Sequence, residues 1–268
     1  MNAFARDTLS VRVLLLRFVP RGPSSGRSMA TALREPGIVW CDVGEGRNPS
    51  FAVVELDPVA GEAEALGCLE QGERERAARL RDGGARLSYT CVHAALRLLL
   101  GWEMDVAPAD IRFATGPFGK PRLTGPGPAL HFNISHRPGC AAIALAGRDV
   151  GIDVEEPRAG LDIEGIAQRF FSPSEREHLC AAGARREIAF FELWSRKEAL
   201  VKAAGVGIDS LAQAEAVESQ ATLADESGAA RTFRSYQLAS APDLVLALAI
   251  DTSGPMAGAR RSSRGLAA

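Results

Sequence analysis

The sequence predicts an α+β fold made of two successive mixed units. Short apolar segments with strand-like alternation, bracketed by turn residues, recur in both halves of the chain. Each half also holds one long stretch of helical periodicity. The 268 residues are 46% hydrophobic and 24% charged, a globular composition with length for one large domain or two small ones. The division expected is an extension outside the fold over 1–36 (disordered or non-native), an N-terminal α+β subdomain over 37–148, a C-terminal α+β subdomain over 149–251, and a disordered tail over 252–268.

In chain order, Ile38–Asp42 and Phe51–Leu56 read as short strands, followed by a charged helix whose Glu73, Arg74, Glu75 and Arg76 are expected on its exposed side. From Leu87 onward Cys91, Ala94, Ala95, Leu98 and Trp102 recur at helical spacing, so this helix packs on a core, with His93 beside the stripe as a solvated or satisfied side chain. Glycine and proline make Thr115–Pro128 a loop. Three strands are expected at Leu130–Ile134, Cys140–Ala146 and Val150–Val154, then a helix around Asp162–Arg169. Ser172-Pro173-Ser174-Glu175 is a helix start, with proline in the first turn and a capping box. A long helix from about Arg186 to Ala204 stops at Gly205, and Arg231–Ala239 with Leu244–Ile250 form a hairpin.

Several function classes are set aside by composition. Formal net charge is −2, from 31 basic and 33 acidic residues, so the basic excess of a nucleic-acid binder is missing. Five cysteines (Cys41, Cys68, Cys91, Cys140, Cys180) lie scattered without a CxxC pair, which points to free thiols in a reducing, cytoplasmic compartment. His93, His131, His136 and His178 show no zinc spacing, so any metal is expected on oxygen ligands. No run approaches the ~20 apolar residues of a membrane span, and Arg12 and Arg17 interrupt Val13–Leu16. Residues 1–34 hold six arginines and one acid, Asp7; an extended translation start with Met29 as natural first residue is favoured over a transit peptide.

The chemistry-bearing residues fall into four groups. In Val150-Gly151-Ile152-Asp153-Val154-Glu155, alternation sends Asp153 and Glu155 to one face of a strand, where two carboxylates repel unless a positive charge lies between them. Solvated acids on an exposed edge are the plain alternative. On the long helix, Glu198 and Lys202 are four apart and share a face, as a surface ion pair or as a third carboxylate and an ammonium joining the strand acids. Three carboxylates without Cys or His suit Mg²⁺ beside substrate phosphates. In His131-Phe132-Asn133-Ile134-Ser135-His136, followed by Arg137, several donors for a phosphate stand at a strand end. A Ser135–His136 nucleophile and base is disfavoured, because adjacent strand residues face opposite ways. The fourth group is Phe118-Gly119-Lys120-Pro121, which alone reads as a surface turn.

These four motifs, in this order and spacing, closely resemble the 4′-phosphopantetheinyl transferases of the surfactin-synthetase-activating (Sfp) type, over about Ile38 to Ile250. The resemblance implies two similar α+β subdomains related by a pseudo-twofold axis, with coenzyme A in the cleft between them. It implies a Mg²⁺ ion on Asp153, Glu155 and Glu198, and Lys202 neutralising the coenzyme's pyrophosphate. Lys120 and His136 would face its phosphates, His136 the 3′-phosphate, with Ser135 assisting. Asp153, Glu198 and Lys202 would carry catalysis: a serine of an apo acyl, peptidyl or polyketide carrier protein attacks the pantetheine-side phosphorus and 3′,5′-ADP leaves. Glu198 and a metal-bound water stay open as the base. Arg137 departs from the family's usual serine, and Arg86 is the candidate for a basic residue ahead of the Leu87–Leu100 helix. Glu175 matches a family position that the capping box explains equally well. A monomer without nucleic-acid or membrane partners is expected. The rival readings are an inactive relative that binds coenzyme A or a carrier, and a Mg²⁺-dependent phosphohydrolase.

Overall fold

The computed structural model describes residues 62–125 and 130–253, and the strand backbone of 9–18, 40–43 and 52–56. It is a mixed helix and sheet fold, as the α+β expectation requires. The strands are β1 (Leu9–Phe18), β2 (Trp40–Val43), β3 (Ala52–Leu56), β4 (Phe113–Thr115), β5 (Pro121–Leu123), β6 (His131–Arg137), β7 (Cys140–Ala146), β8 (Val150–Glu155), β9 (Gln220–Ala224), β10 (Ala230–Ala241) and β11 (Leu244–Asp251). The helices are α1 (Glu62–Cys68), α2 (Gln71–Arg79), α3 (Gly83–Met104), α4 (Ile163–Phe170), α5 (Pro173–Ala181) and α6 (Arg186–Ala204). No helix among the described residues is long and apolar enough to cross a membrane, and Cys68, Cys91, Cys140 and Cys180 form no disulfide among the described residues.

One sheet runs β2-β1-β7-β6, with β3 also pairing β1; a second, antiparallel, runs β8-β11-β10-β9. Within the span expected as an extension, residues 9–18 form β1, which pairs with β2, β3 and β7. The rest of 1–36, and 254–268 of the expected tail, lie outside the described residues. The short hairpin of β4 and β5 reaches into the stretch expected to be all loop, with Pro121 opening β5 opposite Thr115.

Alternation along three strands sorts the interior into three cores. Ala141, Ile143 and Leu145 of β7 face the α3 side with Leu96, Leu100 and Phe132. Val245, Ala247 and Ala249 of β11 face α6 with Phe191, Leu200 and Ala203. The remaining faces meet between the sheets: Cys140, Ala142, Ala144 and Ala146 of β7 and Val150, Ile152 and Val154 of β8 pack against Leu244, Leu246, Leu248 and Ile250 of β11. Small side chains on β7 lie opposite large ones on β8 and β11, and each buried leucine contributes roughly 2 kcal/mol.

Two buried ion pairs anchor the helices. Glu73, expected on an exposed face, is buried, because Arg97 of α3 is fully enclosed and needs a counter-charge: Arg97 Nε donates to Glu73 Oε2 at 2.5 Å, and its Nη1 donates to the carbonyls of Pro108 and Ile111. Trp102, expected on the buried stripe, is 38% exposed where α3 nears its end. In the other half Ser172 and Glu175 form the expected capping box at the start of α5, and Glu175 also accepts from Lys197 Nζ at 2.7 Å and from the Ala216 amide at 2.8 Å. Neither Glu175 nor Lys197 has exposed surface. Lys197→Met, which strands the carboxylate, is expected to lower stability by about 3–5 kcal/mol in urea unfolding, and adding Glu175→Leu to recover at least half of the loss.

Candidate active site

β6 and β8 are edge strands of different sheets, and side chains join them in place of a backbone ladder. The Ile152 amide donates to Asn133 Oδ1 at 2.9 Å, the Val154 amide to Ser135 Oγ at 3.3 Å, and Lys120 Nζ donates to the Val150 carbonyl at 3.2 Å. Residues 131, 133 and 135 share one face of β6, so this seam is built by strand alternation. At its near end His131 Nδ1 lies 3.1 Å from Asp149 Oδ1. At its far end Ser135 Oγ donates to Asp153 Oδ1 at 2.9 Å.

One face of β8 meets α6 at van der Waals range, since a β-carbon on Gly151 would overlap the Ala199 carbonyl and the Ala203 amide. Asp153 and Glu155 lie on that face. α6 ends at Gly205 (φ 74), the left-handed stop its sequence predicts, and presents Glu198 and Lys202 one turn apart. Lys202 Nζ stands 2.5 Å from Asp153 Oδ1, 3.2 Å from Glu198 Oε2 and 3.4 Å from Ser135 Oγ. The strand acids and the helix pair therefore converge.

Charge at this point is strained toward negative. Burial, then the Asp153 and Glu198 carboxylates, push Glu155 up to about 7. Burial and Asp153 also raise Glu198, against the pull of Lys202. For Lys202 burial alone would lower the pKa; the two carboxylates outweigh it and hold the ammonium charged. Asp153 Oδ2 is buried without a hydrogen-bond partner. Among the described residues no three His, Cys, Asp or Glu side chains close into a ready metal cage, and the Lys202 ammonium stands between Asp153 and Glu198. The donor set nevertheless fits a hard divalent cation: oxygen ligands alone, three carboxylates in mutual repulsion, and one buried oxygen unpaired.

Beside the acids lies a cationic flank. His136, on the exposed side at the end of β6, is lowered by desolvation and then by the positive charges of His93, Lys202 and Arg76. Arg76 lies over the Tyr89 ring, 5.6 Å from its centroid, and Tyr89 packs on His93 at 4.0 Å between ring centroids. His93 Nδ1 pairs with Glu73 Oε1 at 3.0 Å. The geometry thus brings Arg76 toward His136. Arg86, the expected candidate, sits in the first turn of α3 with its guanidinium near Gly83. Nothing local in the run Glu73–Arg76 separates Arg76 from Arg74; the tertiary contact does. Arg137, which stands where the family usually has serine, pairs with Glu156 and donates to the Asp243 carbonyl at 3.0 Å.

Lys120, expected to face the coenzyme's phosphates, has its ammonium on acceptors within the protein. It is buried, and its ammonium donates to the carbonyls of Ala203 (2.9 Å) and Val150 (3.2 Å) and to Asp149 (3.4 Å). Burial pushes Lys120 down to about 8. Burial alone would raise Asp149, but His131, Lys120 and Arg122 hold it well below the carboxylate range. The signs follow. Between pH 8 and 10.5 the unfolded chain keeps a Lys120 proton that the folded one has lost, so stability rises with pH there, by up to about 3 kcal/mol, and Lys120→Met flattens the rise in urea titrations. Asp149's contribution is complete above pH 3.8 and is lost as pH falls below it.

Comparison with known proteins places the chain among relatives of one family. The family model of the 4′-phosphopantetheinyl transferase superfamily matches residues 149–249. The chain is 34% identical over 169 residues to 4′-phosphopantetheinyl transferase HetI of Nostoc sp. (60% of this chain, 70% of the relative). It is 31% identical over 153 residues to the putative 4′-phosphopantetheinyl transferase slr0495 of Synechocystis sp. (56% and 61%). It is 35% identical over 114 residues to 4′-phosphopantetheinyl transferase Sfp of Bacillus subtilis (42% and 50%). The chain thus spans between half and 70% of these three relatives' lengths.

Proposed function

This chain belongs to the 4′-phosphopantetheinyl transferase superfamily, and from that premise we propose that it moves the phosphopantetheine arm of coenzyme A onto a serine of an apo carrier protein, as an enzyme of the Sfp type. The observation that carries the reading is the convergence of Asp153, Glu198 and Lys202 beside Ser135 at the β6–β8 seam.

In the reaction the carrier serine Oγ bonds to the pantetheine-side phosphorus, the bond from that phosphorus to the bridging oxygen breaks, and 3′,5′-ADP leaves with the electron pair. Such a transfer asks the protein mainly to position groups and balance charge. Asp153, Glu155 and Glu198 would hold Mg²⁺, which supplies charge neutralisation on the pyrophosphate oxygens. Lys202, kept charged by Asp153 and Glu198, places its ammonium against the same oxygens. Ser135 orients Asp153. His136, exposed at the end of β6 with Arg76 on the same flank, offers a ring N–H and a nearby guanidinium to the 3′-phosphate. The serine proton would pass to Glu198 or to a water held at this site.

We read residues 37–148 and 149–251 as two subdomains, joined by the first-sheet strand at 9–18; each sheet packing its own helix supports this. A monomer acting in the cytoplasm on acyl, peptidyl or polyketide carriers completes the proposal. The experiment is incubation of purified protein, Mg²⁺ and coenzyme A with a panel of apo carriers, read by intact-mass spectrometry. A mass gain of one phosphopantetheine arm is expected. No gain on any carrier defeats the reading, and release of 3′,5′-ADP without a carrier replaces it with a hydrolase.

A further inference from the structure

Lys120 follows Gly119, whose φ of 89 turns the chain at the tip of the β4–β5 hairpin. Its stem passes Gly205, where an added β-carbon would stand 3.4 Å from Lys120 Cδ. The ammonium then ends on three acceptors, matching its three protons. The Ala203 carbonyl is one of the last four of α6, which have no partner within the helix, and a cation there also meets the negative end of the helix dipole. The Val150 carbonyl lies on the seam edge of β8. One charge therefore ties the helix of Glu198 and Lys202 to the strand of Asp153 and Glu155, at the end where Gly151 brings the two backbones together.

We propose that Lys120 is a positioning residue for the transfer reaction: it fixes α6 along β8, and so sets where Glu198 and Lys202 stand against Asp153, without touching the coenzyme. Lys202 is the residue next to Ala203, so slippage of the helix end moves its ammonium directly. To reach a phosphate, Lys120 would have to abandon two buried carbonyls, each costing about 1–3 kcal/mol when left unpaired. The position is also one the folded protein holds at some expense, as the lowered pKa of the buried amine indicates.

This inference rests on the transferase reading, and the test separates the two. Lys120→Met and wild type are compared in steady-state transfer from coenzyme A to one apo carrier. The expected result is a kcat reduced at least tenfold with KM for coenzyme A changed less than threefold. A KM raised tenfold or more with kcat unchanged marks a direct phosphate contact and overturns the inference, as does a variant with both constants unaltered. No transfer by wild type overturns the functional reading itself. If Lys120→Met does not fold, ¹⁵N-lysine-labelled wild type is titrated with coenzyme A and Mg²⁺. The Lys202 Nζ resonance is expected to move and that of Lys120 to stay, and a Lys120 shift as large as that of Lys202 sinks the proposal.

Discussion

Asp153→Asn and Glu198→Gln are each expected to lower kcat/KM for carrier modification by about 10³-fold or more, roughly 4 kcal/mol of transition-state stabilisation. Both changes keep side-chain shape and remove one negative charge. Asp153 is tied to Lys202 and Ser135 together, so neutralising it weakens the hold on the ammonium and removes a cation ligand in one step. Stability should move little, or improve, because the acids here repel: Glu155, pushed up to about 7 in part by Asp153 and Glu198, relaxes toward its ordinary value when either is neutralised. Urea midpoints within about 1 kcal/mol of wild type alongside lost transfer would fit. Turnover near wild type in either variant would reject the site.

The second large effect belongs to Gly151→Ala. Its methyl group meets backbone atoms of Ala199 and Ala203, which cannot turn aside as a side-chain tip can, so α6 must lift from β8. Overpacking of this kind costs about 3 kcal/mol or more, and the displaced helix carries Glu198 and Lys202 with it. Thermal unfolding should show the lowered midpoint, and transfer measured well below it should still be depressed at least tenfold. A variant with wild-type midpoint and turnover would mean that the two elements have slack between them.

Much of this arrangement is legible in the sequence because it depends on short-range periodicity. Alternation puts Asp153 and Glu155 on one face of β8, and a spacing of four pairs Glu198 with Lys202 before the stop at Gly205. The same alternation along residues 131–135 gives the seam of His131, Asn133 and Ser135, though their partners on Asp149 and β8 are tertiary facts. What escapes the sequence is decided by distant partners. Glu73 reads as a solvated acid until Arg97, 24 positions on, is seen to be enclosed beside it. Lys120 reads as a loop cation until the end of α6 arrives, 83 positions later. Arg86 is the basic residue that the sequence singles out ahead of its helix, while the stacking of Arg76 of α2 on Tyr89 of α3 is a tertiary contact that no local pattern announces. Strand β1 lies in arginine-interrupted sequence whose pairing with β7 no local pattern announces.

The seam of borrowed side chains also bears on how the protein fails when heated. An open strand margin recruits stray chains, and on β8 Lys120, Asn133 and Ser135 occupy the groups through which recruitment would begin. Just behind it run Cys140–Ala146 and Leu244–Ile250, uncharged and shielded on every side in the native molecule. Once the margin opens, both become adhesive segments, so clumping after heat treatment should grow steeply with protein concentration.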